Sequence, residues 1–156
     1  MEPLITVKNV RKVYRMGDEK VVALDDVSLD IYKGEIVCFL GASGSGKSTF
    51  LNMVAGLEKP TKGEIYIGGI PVHKLNEEDV TFFRQKNIGF IFQAYHLLPM
   101  LTAVENVSLP LIFRGVEKKK REKMAKETLA VVGLAGYENR KPTQMSGGQQ
   151  QRVGIA

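Results

Sequence analysis

The stretch Gly41-Ala42-Ser43-Gly44-Ser45-Gly46-Lys47-Ser48 constrains this chain more than any other. Its glycines let the backbone take conformations that a Cβ would forbid. The apolar run Ile36–Leu40 precedes it, and Glu35–Leu40 reads as a continuous strand buried on both faces of a parallel sheet. Behind the loop, residues 47–57 place Phe50, Leu51, Val54 and Leu57 at helical spacing. In a strand–loop–helix arrangement, successive N–H groups converge on an anion and the positive end of the helix dipole faces the same point. The residues fit the spacing G-x-x-x-x-G-K-[ST], which makes the loop a phosphate cradle. Lys47 then supplies a point charge for β- and γ-phosphates, and Ser48 a hydroxyl for Mg²⁺. Thr49 can add a hydroxyl near the α-phosphate. The competing reading is a glycine-rich turn that merely joins strand to helix.

Elsewhere the pattern sorts into a mixed part and a helical part. Residues 4–7 and 27–31 alternate apolar and polar, with Val27, Leu29 and Ile31 on one side, as in a strand with one wet face. Glu64–Ile67 and Ile88–Phe92 read as further short strands. Gly56, Pro60 and Gly63 punctuate the end of the first helix. Asn76 can cap a short helix through Phe82 and Phe83, with acids in its first turn. Thr102-x-x-Glu105 is a capping box that opens a helix meeting Pro110 and ending near Gly115. Glu117 to Val132 reads as the next helix, with Met124, Leu129 and Val132 inward. Glu117/Arg121 and Glu122/Lys126 stand four apart on it, and Gly133 stops it.

The 156 residues make one domain's worth of chain, and the net charge of +5 is modest. Its positive charge clusters at Lys118–Lys126, interleaved with glutamates, as on a solvated helix face. The single cysteine, Cys38, cannot form an internal disulfide, which fits a reducing cytoplasmic compartment. Its apolar surroundings predict an inert buried thiol. The start, with acids and no long apolar stretch, reads as no signal peptide. The longest near-apolar region, Ile88–Val107, carries Gln93, His96, Glu105 and Asn106 and cannot span a bilayer. Any membrane link must run through a partner. His73 and His96 read as surface or loop histidines.

A second motif narrows the class. Ser146-Gly147-Gly148-Gln149 opens a run ending Gln150-Gln151-Arg152-Val153. Ser146 can cap the helix, and Gln149 stands where a capping box needs it. The two glycines leave first-turn N–H groups uncovered, so a phosphate can approach closely. Alone this would be an ordinary capped helix start. Beside the phosphate loop it resembles the signature motif of ATP-binding cassette (ABC) ATPases. The string Ile88-Gly89-Phe90-Ile91-Phe92-Gln93, with Leu97-Leu98-Pro99, Leu101-Thr102, Glu105-Asn106-Val107 and Leu109-Pro110-Leu111, is similar to the ATPases of lipoprotein-release and macrolide-export systems.

The resemblance implies an α/β fold: a RecA-like P-loop NTPase core with an antiparallel β subdomain and a helical subdomain. Residues 1–92 would form the nucleotide-binding core and β subdomain. Residues 93–156 would form the helical subdomain and the start of the signature helix. It implies the ATP-binding subunit of an ABC transporter, an ATPase that couples Mg-ATP binding and hydrolysis to movement of membrane permease subunits. Gln93 resembles the family glutamine that reaches Mg²⁺ and the attacking water. Tyr14 matches the aromatic that stacks on adenine, an interaction worth roughly 1–3 kcal/mol. A tyrosine packed on a sheet edge is the other reading of Tyr14. Val22 would line the other side of the base. Ser146, Gly147, Gly148 and Gln149 would contact ATP held by a second subunit, in a head-to-tail homodimer. The cytoplasmic, inner face of the membrane is the implied location, with permease subunits and no nucleic acid as partners.

The sequence departs from the family in one respect. It stops at Ala156, inside the signature helix, before the buried strand ending in an Mg²⁺ aspartate, the following glutamate and a later histidine. The expectation is a fold incomplete at its C-terminus that binds nucleotide weakly and does not turn ATP over alone. A second expectation is an apolar edge at Glu35–Leu40, unpaired and prone to association. The alternative function is a non-catalytic nucleotide-binding or regulatory module that pairs with an intact cassette. A soluble cassette acting on ribosomes or DNA is a third, but such proteins usually carry paired cassettes or large insertions.

Overall fold

The structure is a computed structural model that describes residues 2–156. It falls into two compact units, one running to Gly89 and the other from Phe90.

The first unit is built on an antiparallel sheet. Strand β1 (Ile5–Met16) pairs on one side with β2 (Glu19–Ile31) and on the other with β3 (Lys62–Ile67), and β3 continues into the short β4 (Ile70–Pro71). The order is β2-β1-β3-β4. Alternation along β2 leaves Val27, Leu29 and Ile31 half-buried and Ser28 and Asp30 exposed, as one wet face requires. The β1–β2 register shifts between Val7 and Val10. There Asn9 takes a positive φ and bonds across the bulge to Ser28 Oγ at 2.9 Å and Asp26 Oδ1 at 2.8 Å. Helix α1 (Lys47–Val54) and helix α2 (Glu77–Asn87) complete the unit. Asn76 caps α2 by accepting from Asp79 N–H at 2.8 Å. The core gathers Val7, Val10, Leu24, Phe50, Met53, Ile65 and Phe83.

Two strands expected from the sequence do not form. Residues 35–40 and 88–92 carry no ladder, because among the described residues no strand pairs with either. An apolar run becomes a strand only when neighbours take up its N–H and C=O groups. Ile36 and Leu40 are therefore 95% and 93% exposed, and Cys38 is exposed rather than buried. Of residues 35–40 Phe39 turns inward, its ring centroid 4.9 Å from that of Phe50. The buried face of α1 is also shifted. Phe50 and Met53 are buried and Val54 packs on the core, but Leu51 is exposed. Gly56, with φ of 67°, ends the turn before Leu57 can join the stripe.

The second unit is helical: α3 (Ala103–Phe113), α4 (Lys118–Val131) and α5 (Gly147–Ile155). Its core is Ala103, Val104, Ala125, Leu129, Leu134, Met145 and Val153. Thr102 and Glu105 form the expected capping box, and Thr102 holds the Glu105 carboxyl below its ordinary pKa by donating from its backbone N–H and its hydroxyl. Asn106 ties the preceding loop down by accepting from Leu98 N–H and donating to the carbonyls of Leu98, Leu101 and Thr102. On α4, Leu129 is buried but Met124 is exposed. The ion pairs on this helix are Lys118–Glu122 and Lys123–Glu127, each at 3.9 Å, instead of the acid-first pairs expected. Both are solvent-exposed and contribute little.

Candidate functional site

The glycine-rich loop leads directly into α1, and its geometry centres on Lys47. The Lys47 ammonium donates to the carbonyls of Gly41 at 2.8 Å and Ala42 at 2.7 Å, and to Ser45 Oγ at 3.1 Å. The loop thus curls around one cationic group. Gly44 and Gly46 both have positive φ, and at Gly46 the requirement for glycine is absolute. A Cβ there would lie 2.4 Å from the Ala23 carbonyl and 2.9 Å from Leu24 Cδ2. Strand β2 is therefore pressed against the start of α1. The N–H groups that open α1 have no acceptor within the helix, and the dipole adds positive potential at the same place. Uncovered first-turn N–H groups beside an ammonium held in place suit a polyanion such as a chain of phosphates. Ser48 is exposed at the start of the helix and Thr49 is half-buried beside it.

Tyr14 belongs to the same unit. It sits half-buried on β1, its hydroxyl close to the side chain of Thr49 and donating to Glu58 Oε2 at 2.7 Å. Burial and the neighbouring Glu58 raise the Tyr14 pKa. Lys12 Nζ lies 5.1 Å from the ring centroid and 3.2 Å from Glu58 Oε2. Asn52, on α1, donates to the other oxygen of Glu58 at 3.1 Å. Burial alone would raise the Glu58 pKa, but the hydrogen bonds from Tyr14, Asn52 and Lys12 outweigh it and the value falls. Sequence reasoning missed Glu58, Lys12 and Asn52. No local spacing marks a contact between residues 14 and 58.

Val22 does not join Tyr14. In the β1–β2 ladder Tyr14 faces Val21, whereas Val22 faces Val13. Successive residues of a strand point to opposite faces, so Tyr14 and Val22 lie on opposite sides of the ribbon. Val22 lines a shallow groove with Arg11, Val13, Arg15, Lys20 and Thr61.

The remaining expected site residues lie in the helical unit. Gln93 is exposed in a turn just before Tyr95 and His96, both of which have positive φ. Ser146 caps α5: its Oγ accepts from Gln149 N–H at 3.3 Å, and Gln149 Oε1 accepts from Ser146 N–H at 2.9 Å. Ser146, Gly147 and Gly148 are exposed at the head of the helix. A Cβ on Gly147 would touch the Tyr95 hydroxyl at 3.4 Å, and one on Gly154 the Tyr95 carbonyl at 3.5 Å. Tyr95 thus packs along the glycine side of α5. His73 is no surface histidine: its Nδ1 meets the backbone N–H and C=O of Ile65 at 3.1 and 3.0 Å. No group of three or more His, Cys, Asp or Glu able to hold a metal occurs among the described residues.

Known proteins match this chain over nearly its full length. The profile of the family described as ABC transporter matches residues 24–156. An uncharacterized ABC transporter ATP-binding protein of Methanocaldococcus jannaschii, MJ0796, is 49% identical over 98% of this chain and 67% of its own length. One from Thermotoga maritima is 47% identical over 100% of this chain and 67% of its own length. The macrolide export ATP-binding/permease protein MacB of Salmonella typhi is 46% identical, and the match covers 24% of that longer protein. The solved dimeric structure of MJ0796 in a post-hydrolysis state, bound to ADP and Pi, superposes with a TM-score of 0.91 over 97% of this chain. The chain spans about two thirds of the length of that cassette. With a glycine loop wrapped around Lys47 and a capped Ser146-Gly147-Gly148-Gln149 helix, it belongs to the ABC transporter family of ATP-binding cassettes.

Proposed function

We propose that this chain carries the nucleotide-binding part of a transporter ATPase, which closes as a dimer on Mg-ATP and moves membrane permease subunits. The observation that carries the reading is the Lys47 ammonium, held by the loop's own carbonyls at the head of α1. A triphosphate would exchange those carbonyls for phosphate oxygens of full charge, a stronger partner for the same donor. Gly41 through Ser48 would cradle the phosphates, and Thr49 would lie near the α-phosphate. The ring of Tyr14, whose hydroxyl lies close to Thr49, would stack on the base. We do not carry Val22 into this site, since its face of the hairpin points away from Tyr14.

The donors fit Mg²⁺ better than a softer metal. Ser48 offers a hard hydroxyl oxygen at the head of α1, and among the described residues no His, Cys, Asp or Glu cluster able to hold a metal occurs. Mg²⁺ takes most of its ligands from phosphates and water, so a sparse protein shell suffices. When bound, Mg²⁺ would neutralise charge between the β- and γ-phosphates. Gln93, by its match to the family glutamine, would orient water.

Residues 1–92 act in this reading as the nucleotide-binding core and β subdomain, and residues 93–156 as the helical subdomain. The capped, exposed Ser146–Gln149 turn would meet the γ-phosphate of a second subunit, head to tail. MJ0796 has been solved as a dimer, and MacB joins its cassette to a permease in one chain; both support a paired cassette at a membrane. Seated on permease subunits, it would lie on the cytoplasmic face. No helix among the described residues is long and apolar enough to cross a bilayer.

The experiment replaces Ser146 with Arg. Sedimentation of the purified protein with Mg-ATP should show dimerisation lost while ATP affinity of the single subunit stays within about twofold. Loss of nucleotide binding by the single subunit would place Ser146 in its own site and refute the trans arrangement.

A further inference from the structure

The Tyr14 side chain is held by two residues outside the phosphate loop, Glu58 and Lys12. Its hydroxyl donates to Glu58 Oε2 at 2.7 Å, and Lys12 Nζ stands 5.1 Å from its centroid. Lys12 also pairs with Glu58 at 3.2 Å and donates to the Lys59 carbonyl at 2.8 Å. The side chains of Lys12 and Glu58 are only 15% and 29% exposed, so solvent screens the pair poorly. The other oxygen of Glu58 accepts from Asn52, one turn beyond Thr49 on α1. Glu58 therefore ties the aromatic ring on the sheet to the helix that carries the phosphate loop. Lys12 occupies one face of the ring, so a stacked base has only the opposite face. A free tyrosine would turn about χ1 and χ2, and each accessible rotamer would dilute the stacking geometry.

We propose that Glu58, with Lys12, is a positioning residue that fixes the plane of Tyr14 against α1, and so governs the base-dependent part of nucleotide binding without touching the phosphate-dependent part. The inference rests on the reading of Tyr14 as the base platform. It makes the distance between base and phosphates a property of one half-buried carboxylate bridge.

The test compares Mg-ATP with Mg-tripolyphosphate, which has the phosphates and no base, by calorimetric titration of the purified protein. Four variants are needed: Glu58→Ala, Tyr14→Phe, the Tyr14→Phe/Glu58→Ala pair and Tyr14→Ala. Glu58→Ala should lower ATP affinity roughly three- to tenfold, less than the full loss of stacking in Tyr14→Ala. Tripolyphosphate affinity should stay within about twofold of the parent. In the Tyr14→Phe background the hydroxyl tie is already gone, so adding Glu58→Ala should change the ATP to tripolyphosphate ratio little. The positioning role is overturned if Glu58→Ala weakens both ligands equally, since that is damage to the loop. It is also overturned if Glu58→Ala changes neither while Tyr14→Ala weakens ATP alone, or if the two substitutions multiply independently. A Tyr14→Ala variant with an unchanged ratio would instead remove the base platform itself, and this inference with it.

Discussion

At Gly46 a single hydrogen separates a working loop from a clash with strand β2. A methyl group there would meet the Ala23 carbonyl at 2.4 Å, and φ is 86°, a region that L residues rarely enter. The Gly46→Ala variant should lose about 1–3 kcal/mol of stability and its phosphate binding together. Thermal melts beside an ATP titration check this; a variant with unchanged melting and binding would contradict the packing described. Glu58 gives a pH signature. Its folded pKa is lowered, so its contribution to stability is present above the unfolded value and lost as pH falls through the folded one. The Tm of the parent should exceed that of Glu58→Gln near neutrality, and the two should converge below the usual carboxylate range. Residues whose contacts are local were legible in the sequence: Ser146 and Thr102 each cap a helix through atoms three positions on. Glu58 was not, because its partner Tyr14 is 44 residues away and only the folded sheet brings them together.

Among the elements, those that satisfy their own backbone formed where the pattern put them. Helices α2, α3 and α5 each start at a side chain that accepts from the first turn. Replacing Ser146 by Ala removes one such cap and should cost about 1 kcal/mol of stability, read by denaturant titration. An unchanged midpoint would show that the capping box carries no weight. The hairpin was longer than the alternation suggested, because the bulge at Asn9 and Asp26 lets β1 and β2 run on through a change of register. Residues 35–40 and 88–92 failed as strands for the opposite reason. Apolar content records a preference for burial, whereas a strand also needs a partner along at least one edge. Val22 failed on parity: the register decides its face, and hydropathy does not reveal a bulge.

On the scale of the whole molecule, the expected site residues divide between two units. The unit ending at Gly89 holds the phosphate loop and Tyr14, and the unit from Phe90 holds Gln93 and the signature turn. The exposed Ile36 and Leu40 make an apolar surface beside the loop. Sedimentation should show concentration-dependent association, reduced in an Ile36→Lys variant; a monodisperse parent would count against it. The central claim is that Lys47 and its loop bind the phosphates of a nucleotide. Its most direct test is calorimetric titration of the purified protein and its Lys47→Ala variant with Mg-ATP. The account predicts a loss of about 1.5–3 kcal/mol, or roughly ten- to hundredfold in Kd. Equal affinity in the two proteins would contradict it.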